Sequence, residues 1–373
     1  MIMLNRRKIK ILVDGHIFDH SMQGIATYIN GLYNALVKFD EFEITICACD
    51  CEVLRTHFPD ERFKFRRLTS HSKYKRLAFE IPNLIKVEKF DYAHFQYIVP
   101  LVKHCKFINT IHDLLFLDFP QYFPVSYRIK NKYLFKFSAK RSDIILTVSE
   151  YSKQALVEKF NLRNDHIHIT PNAVKERVYD SLDVKRHFGL DKYLLYVSRF
   201  EPRKNQKGLL EAFINLDLFS KGYKLVFVGS KKGKIERDYY EELRIISDTR
   251  SGEGVKFYES LSDQELAALY QHASCFVFPS LAEGFGIPPI EAALNNCKVV
   301  CSNLTAMHDF QFFKYHIDPR NQFDLENSIR DILDDKNYDY EYCKIKVKEL
   351  FSWDKIAFDF RDIIHKNFTK TKI

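Results

Sequence analysis

Two glutamates, Glu283 and Glu291, flank the segment Gly284-Phe285-Gly286-Ile287-Pro288-Pro289-Ile290. The glycines let the backbone approach a ligand closely, and the prolines rigidify the start of a helix on which Glu291 lies about one turn in. Carboxylates placed this way accept hydrogen bonds from vicinal sugar hydroxyls, one serving a ribose and the other a transferred sugar. The blander alternative makes Glu291 a first-turn partner of the helix dipole and Glu283 an exposed loop acid. A second segment, Ser198-Arg199-Phe200-Glu201-Pro202-Arg203-Lys204-Asn205, brings three cations close together. At the end of a strand and the start of a helix they suit an anion such as a diphosphate. A solvated basic turn is the alternative.

Other chemistries lack their residues. There is no Asp-x-Asp to bridge a diphosphate through a metal, and no carboxylate pair stands out as the nucleophile and acid of a glycosidase. The eight cysteines show no C-x-x-C spacing, and a reducing compartment keeps them as thiols. Cys47, Cys49 and Cys51 alternate as a strand does, which places them on one side of a sheet as buried thiols in preference to a soft-metal site. The expectation is no metal and no cofactor.

The elements that must position these residues alternate from end to end, apolar run and helical pattern, as βα units feeding a parallel sheet do. Strands are expected at Ile9 to Val13, Ile44 to Ala48, Tyr92 to Phe95, Phe107 to Ile111, Ile144 to Val148 and His166 to Ile169. A helix opens at Gly24, with Ile25, Tyr28, Ile29, Leu32, Tyr33 and Leu36 on one face. The pattern loosens through 173–192 and restarts with strands at Tyr193 to Val197, Leu225 to Val228, Val255 to Tyr258, Cys275 to Phe278 and Val299 to Cys301. The division is therefore an N-terminal Rossmann-like domain over 1–172, a linker over 173–192 and a second such domain over 193–350. A final helix over 351–373 is expected to cross back to the first domain. Ligands of open parallel sheets sit outside the carboxyl ends of the strands, so two facing sheets make an inter-domain cleft.

With 373 residues the chain is long enough for two domains of ordinary size, and 46% hydrophobic and 28% charged residues exclude wholesale disorder. The net charge of +8 falls entirely within residues 1–180, which suggests an anionic partner for that half alone. Arg62, Lys64, Arg66, Arg67, Lys73, Lys75 and Arg76 cluster there, and Tyr127 to Arg141 mixes basic with aromatic residues. Such a helix can lie on an anionic membrane surface, or it can be a simple solvated face. No run approaches a spanning helix, and the short apolar run after the basic start does not match a signal peptide. A cytoplasmic protein, peripheral on the inner membrane at most, is expected.

The Glu283 to Glu291 stretch resembles the E-x7-E signature of the retaining glycosyltransferases of family 4, which have the GT-B fold of two facing Rossmann-like doubly wound domains. Ser198 to Asn205 is similar to that family's phosphate-binding loop, Leu225 to Gly229 to its following strand and glycine, and Phe257 to Leu266 to the segment lining the base. Asp143 to Lys153 and Ile169 to Val174 also resemble it. Carried over, the resemblance implies that Arg199 and Lys204 contact the donor diphosphate, Glu291 the ribose hydroxyls, and Glu283 with the backbone of Gly284, Phe285 and Gly286 the donor sugar. His112, ending a strand in Ile111-His112-Asp113, would reach the sugar near the reacting carbon; on its chemistry alone it could equally cap a backbone group. Gly24 matches a glycine that brings helix amides to the phosphates, although Ala26 and Thr27 stand where the family often has a second glycine and a basic residue.

The resemblance implies a metal-independent hexosyltransferase acting with retention on a nucleotide sugar, with GDP-mannose the favoured donor. The acceptor would be a saccharide, lipid-linked, in bacterial surface polysaccharide synthesis. Fixed cations answer the charge that grows on the leaving diphosphate. Glu291→Gln and Lys204→Ala are each expected to abolish most turnover with the fold intact. Two other classes stay in view: a non-hydrolysing sugar-nucleotide epimerase, which would need acid and base carboxylates over the sugar, and a non-enzymatic nucleic-acid-binding protein. Against the latter stand a neutral second half and the absence of a nucleic-acid motif, so no nucleic-acid partner is expected.

Overall fold

The computed structural model describes residues 7–19, 24–174 and 179–369. The chain divides into two compact units, Met1–Lys175 together with Phe351–Ile373, and Glu176–Leu350.

Seven strands build the first unit: β1 Ile9–Asp14, β2 Phe42–Ala48, β3 Lys64–Arg67, β4 Tyr92–Gln96, β5 Lys106–Thr110, β6 Ile144–Thr147 and β7 Ile167–Ile169. All pairs are parallel, in the order β3-β2-β1-β4-β5-β6-β7. Parallel neighbours need crossovers, and helices supply them on both faces, so β1 reads Ile-Lys-Ile-Leu-Val-Asp with little alternation and is buried almost throughout. The order reverses between β1 and β4, which opens a crevice at their carboxyl ends, marked by Asp14 and Gln96.

The helix Gly24–Leu36 buries Tyr28, Ile29, Leu32, Tyr33 and Leu36 as its periodicity predicts. The terminal helix Trp353–Thr369 packs on it within the same unit: Trp353 meets Tyr28 edge-on at 6.1 Å and Phe360 meets Tyr33 at 6.4 Å. Arg361 binds Glu41 at 2.5 Å across that contact. Residues 370–373 of the expected final segment lie outside the described residues.

The second unit holds β8 Lys192–Val197, β9 Tyr223–Val228, β10 Val255–Tyr258, β11 Cys275–Phe278, β12 Val299–Ser302 and β13 Tyr315–Ile317. This sheet is also parallel, ordered β10-β9-β8-β11-β12-β13, and its reversal lies between β8 and β11. The two loops singled out for chemistry follow those two strands, one on each side of the switch point.

Three expectations are corrected. The interval 173–192 is not all linker: Val184–Phe188 is a helix capped by Asp183, and His187 binds Glu265 at 2.9 Å while Gln264 donates to the Asp180 carbonyl at 3.1 Å. Only Val184 in that helix is buried, which is too weak an apolar signal to read from sequence, and residues 175–178 lie outside the described residues. Strands β3 and β13 are additional. The first is a sheet edge, where charge is favoured over hydrophobicity, and the second is three residues long. Finally, Cys47, Cys49 and Cys51 do not share a sheet face. The strand stops at Ala48, and Asp50 caps a helix that begins at Cys51 by accepting from Glu52 and Val53.

No helix among the described residues is long and apolar enough to cross a membrane.

Candidate functional site

In the second unit the chain leaves β8 at Ser198 and folds over the end of β9. A side chain at Gly229 would run into the Ser198 carbonyl, so the close approach of these two loops requires glycine there. The 3-10 turn Pro202–Lys204 then presents the cations, and Asn205, left-handed at φ 56°, joins it to the helix Gln206–Asn215. Across the switch point, Gly286 adopts φ +103° at the cap of the helix Ile287–Leu294, a conformation that a side chain would strain. Glu283 sits just before this bend.

These two loops meet in one buried ionic cluster. Lys204 Nζ binds Glu283 Oε1, and Arg203 lies 3.4 Å from Glu283 Oε2. Arg203 also donates to the Ala282 carbonyl at 2.7 Å and binds Glu201 at 2.6 Å. Ser280 Oγ donates to Glu283 Oε1 at 2.9 Å, and the Glu283 amide donates to Thr305 Oγ1 at 2.9 Å. Lys204 and Glu283 are each only 7% exposed, so their charges persist because they are paired. Burial alone would raise the Glu283 carboxyl, but Lys204 and Arg203 outweigh it and hold it below the usual range. Burial and the neighbouring Arg203 pull the Lys204 ammonium down, with Glu283 opposing.

Glu291 stands apart from this cluster. It lies half-buried on the helix Ile287–Leu294, where Tyr270 donates to its Oε2 at 3.1 Å. Burial raises its carboxyl above the usual value; the Tyr270 bond opposes that and Asp263 adds to it. Arg199 is also separate: it is exposed, binds Glu201 at 3.0 Å and approaches Glu236 at 4.0 Å. Gly284 and Phe285 are buried, and Phe285 meets Phe310 edge-on at 5.7 Å. The sequence placed Arg199 and Lys204 together on a diphosphate, whereas the fold joins Lys204 and Arg203 to Glu283 and leaves Arg199 outside that cluster.

In the first unit, His112 follows β5 beside the switch point, 7% exposed. Its Nε2 donates to Gln96 Oε1 at 2.7 Å, and Gln96 Nε2 lies 3.3 Å from His94 Nε2. His94 is held between Thr110 Oγ1, 2.7 Å from its Nε2, and the Tyr33 hydroxyl, 2.7 Å from its Nδ1. Tyr28 and Tyr97 enclose the His112 ring at 5.0 and 5.6 Å. Burial brings His112 down to about 3, and burial with His112 does the same to His94. His112 is therefore a neutral imidazole with Nδ1 as its acceptor, held in that tautomer by Gln96.

A pH dependence of stability follows. For a histidine with a depressed folded pKa, protons bind the unfolded chain first, so stability is lost as pH falls below the unfolded value near 6.5. His94 and His112 should each remove about 2 kcal/mol by pH 5. Denaturant melts at pH 7 and pH 5 check this: His94→Gln/His112→Gln should flatten the difference, and an unchanged pH slope would contradict the buried neutral pair.

Gly24 opens its helix in an exposed position, and residues 20–23 before it lie outside the described residues. Cys49 gathers with Asp19 and His71, ligand atoms within 4.8 Å, instead of with Cys47 and Cys51. Burial and Asp19 push the Cys49 thiol up to about 11, so it keeps its proton. Arg203, Ser280, Tyr270 and Gln96 are site residues that sequence reasoning missed as such. Arg203 lay in the basic segment already under scrutiny, but no spacing signalled the other three.

Two family models match the chain, "Glycosyltransferase Family 4" over residues 22–177 and "Glycosyl transferases group 1" over residues 180–349. Among curated proteins, the O-antigen chain mannosyltransferase B of Escherichia coli is 34% identical over 211 residues, 54% of each chain. The O-antigen chain mannosyltransferase RfbU of Salmonella typhimurium is 31% identical over 204 residues, 54% of this chain and 53% of that one. The match thus spans about half the length of these relatives. Among solved structures, sucrose-phosphate synthase from Thermosynechococcus elongatus superposes with a TM-score of 0.76 at 18% identity, covering 98% of this chain and 100% of that one. HepE of Anabaena, in complex with UDP-glucose, gives 0.74 at 15% identity over 96% and 100%. At these identities the structural likeness speaks to the fold alone.

Proposed function

Because the chain belongs to glycosyltransferase family 4 and has its two Rossmann-like units, we propose that it transfers a hexose from a nucleotide sugar to a saccharide acceptor. The observation that carries this reading is the buried Lys204–Glu283–Arg203 cluster at the switch point of the second unit. A carboxylate held ionised by two cations can accept hydrogen bonds from sugar hydroxyls while the same cations attract a diphosphate. As the glycosidic bond breaks, negative charge grows on the leaving phosphate, and cations fixed in a site of low polarity stabilise it without reorganising. Arg199, exposed beside them, exchanges its surface pair with Glu201 for the diphosphate. Glu291 holds the ribose with Tyr270 at its second edge, and Gly284 to Gly286 bring backbone to the sugar. His112 offers Nδ1 to a sugar hydroxyl, and Gly24 opens the helix whose amides serve the phosphates.

On this reading the reaction retains the anomeric configuration, the leaving phosphate oxygen takes the acceptor's proton, and no metal is needed. The mannosyltransferase names of the relatives support mannose, given from GDP-mannose, and their O-antigen names support a lipid-linked acceptor in surface polysaccharide synthesis. The helix Val125–Arg141 supports contact with an anionic inner-membrane surface: Ile129, Tyr133 and Phe137, four residues apart and all exposed, form an apolar stripe among Lys130, Lys136 and Lys140. The opposite face of the helix buries Asn131, Phe135, Ser138 and Ala139 in the unit.

A thermal-shift panel of nucleotide sugars with EDTA present tests the donor. A bound donor raises the melting point with the logarithm of its concentration. GDP-mannose should shift it most, and a panel without any shift would contradict donor binding.

A further inference from the structure

The cations of the basic segment 62–76 are not equally compensated. Arg62, Lys64 and Arg66 are neutralised by Asp60, Glu43 and Glu88 at 2.7, 2.8 and 2.5 Å. Lys73 has no ion pair among the described residues, and neither has Lys130 on the helix Val125–Arg141. Lys130 meets the Tyr74 hydroxyl at 3.4 Å and the Tyr74 ring at 5.9 Å. Arg76 is 5% exposed, yet among the described residues its Nε has no hydrogen-bond partner and stands 3.5 Å from Asp14 Oδ2. Asp14 is itself engaged by His16 at 3.1 Å.

These groups interact with one another. Desolvation of its ammonium end lowers Lys73, although the residue as a whole is exposed; Arg76 and then Lys130 lower it further, and Asp14 opposes. Arg76 thus stands against Asp14, which ends β1 at the ligand-binding edge of the sheet, and Lys73 and Lys130 add their charge to this one pair. Arg76 also opens a π-helical turn, Arg76–Glu80, a rare geometry that is frequent at functional sites.

We propose that Lys73, Arg76 and Lys130 form a binding site for a phosphate group carried by the acceptor. Two positive charges in excess match a phosphate, which carries roughly two negative charges at neutral pH, better than the single charge of a carboxylate. Cations converging from separate elements suit the oxygens of a tetrahedral group, whereas a carboxylate is served by one guanidinium fork. The inference rests on the transferase reading and adds to it that the acceptor is phosphorylated.

The test uses the full chain, saturated with the nucleoside diphosphate that the donor panel selects, so that the donor site is filled. Equilibrium dialysis with inorganic phosphate, pyrophosphate and a short-chain prenyl diphosphate, and flotation with phosphatidylglycerol vesicles, separate a discrete phosphate from a lipid surface. Pyrophosphate and prenyl diphosphate should bind once per chain, and Lys73→Ala/Lys130→Ala should weaken that binding at least tenfold. Both lysines are exposed, so this variant folds even where Arg76→Gln does not. Diphosphate binding indifferent to both lysines, or binding to vesicles alone, would overturn the site. A failed transferase reading looks different, because then no nucleotide sugar stabilises the protein.

Discussion

Lys204→Ala lowers acceptor-dependent turnover at saturating donor by about 10²- to 10³-fold, the loss that follows removal of one fixed donor aimed at charge developing in a transition state. The same substitution also weakens the fold, which the sequence alone did not indicate. Lys204 is the main counter-ion of Glu283 in a site from which water is excluded. Removing one member of a buried pair leaves the other charge uncompensated, at a cost of about 3 kcal/mol, with Arg203 at 3.4 Å limiting the damage. In a unit of this size that lowers the melting temperature by roughly 6 to 12 °C. The double variant Lys204→Met/Glu283→Gln separates the two effects, since removing both charges should recover most of the stability and none of the activity. Full turnover by Lys204→Ala at a temperature where it is folded would remove the cluster from the reaction.

Glu291→Gln should do the reverse, losing function while the fold holds or gains. Burial raises the Glu291 carboxyl despite the hydrogen bond from Tyr270. An acid whose folded pKa lies above its unfolded value stabilises the fold below the unfolded value, and that contribution disappears as pH rises through the folded one. At neutral pH the ionised carboxylate therefore opposes folding, and an uncharged amide of the same shape relieves the opposition. On the proposed reading function needs the charge, because two ribose hydroxyls would donate to a carboxylate more strongly than to an amide. Loss of charge-assisted bonds worth about 1.5 to 3 kcal/mol raises the donor KM by roughly 10- to 100-fold. In the parent protein, donor affinity should likewise fall on the acid side at a pH above the usual glutamate range. A Glu291→Gln protein with an unchanged donor KM would detach this residue from the ribose.

The sheets were legible because their strands are buried on both faces, so runs such as Ile9 to Val13 and Cys275 to Phe278 need no alternation to stand out. The Glu283 loop was legible for a related reason. A glycine at φ +103° followed by two prolines at the start of a helix leaves a local signature. Partners in space leave none. Glu283 and Lys204 are far apart in sequence and are joined only because β8 and β11 are neighbours at the reversal of the sheet. Arg203 looked like one more basic residue until the fold buried it between Glu201 and Glu283. Gln96, which fixes the tautomer of His112, sits on a neighbouring strand, with nothing local to mark it.

Acceptor-dependent release of nucleoside diphosphate tests the central claim most directly, measured for the purified chain with GDP-mannose and a lipid-linked saccharide fraction in the presence of EDTA. Release equal to the glycosylated product, undiminished by EDTA and lost in Lys204→Ala, is the result expected of a metal-independent transferase built on the Lys204–Glu283–Arg203 cluster. An isomerised nucleotide sugar formed without acceptor, or release that requires a divalent cation, would contradict it.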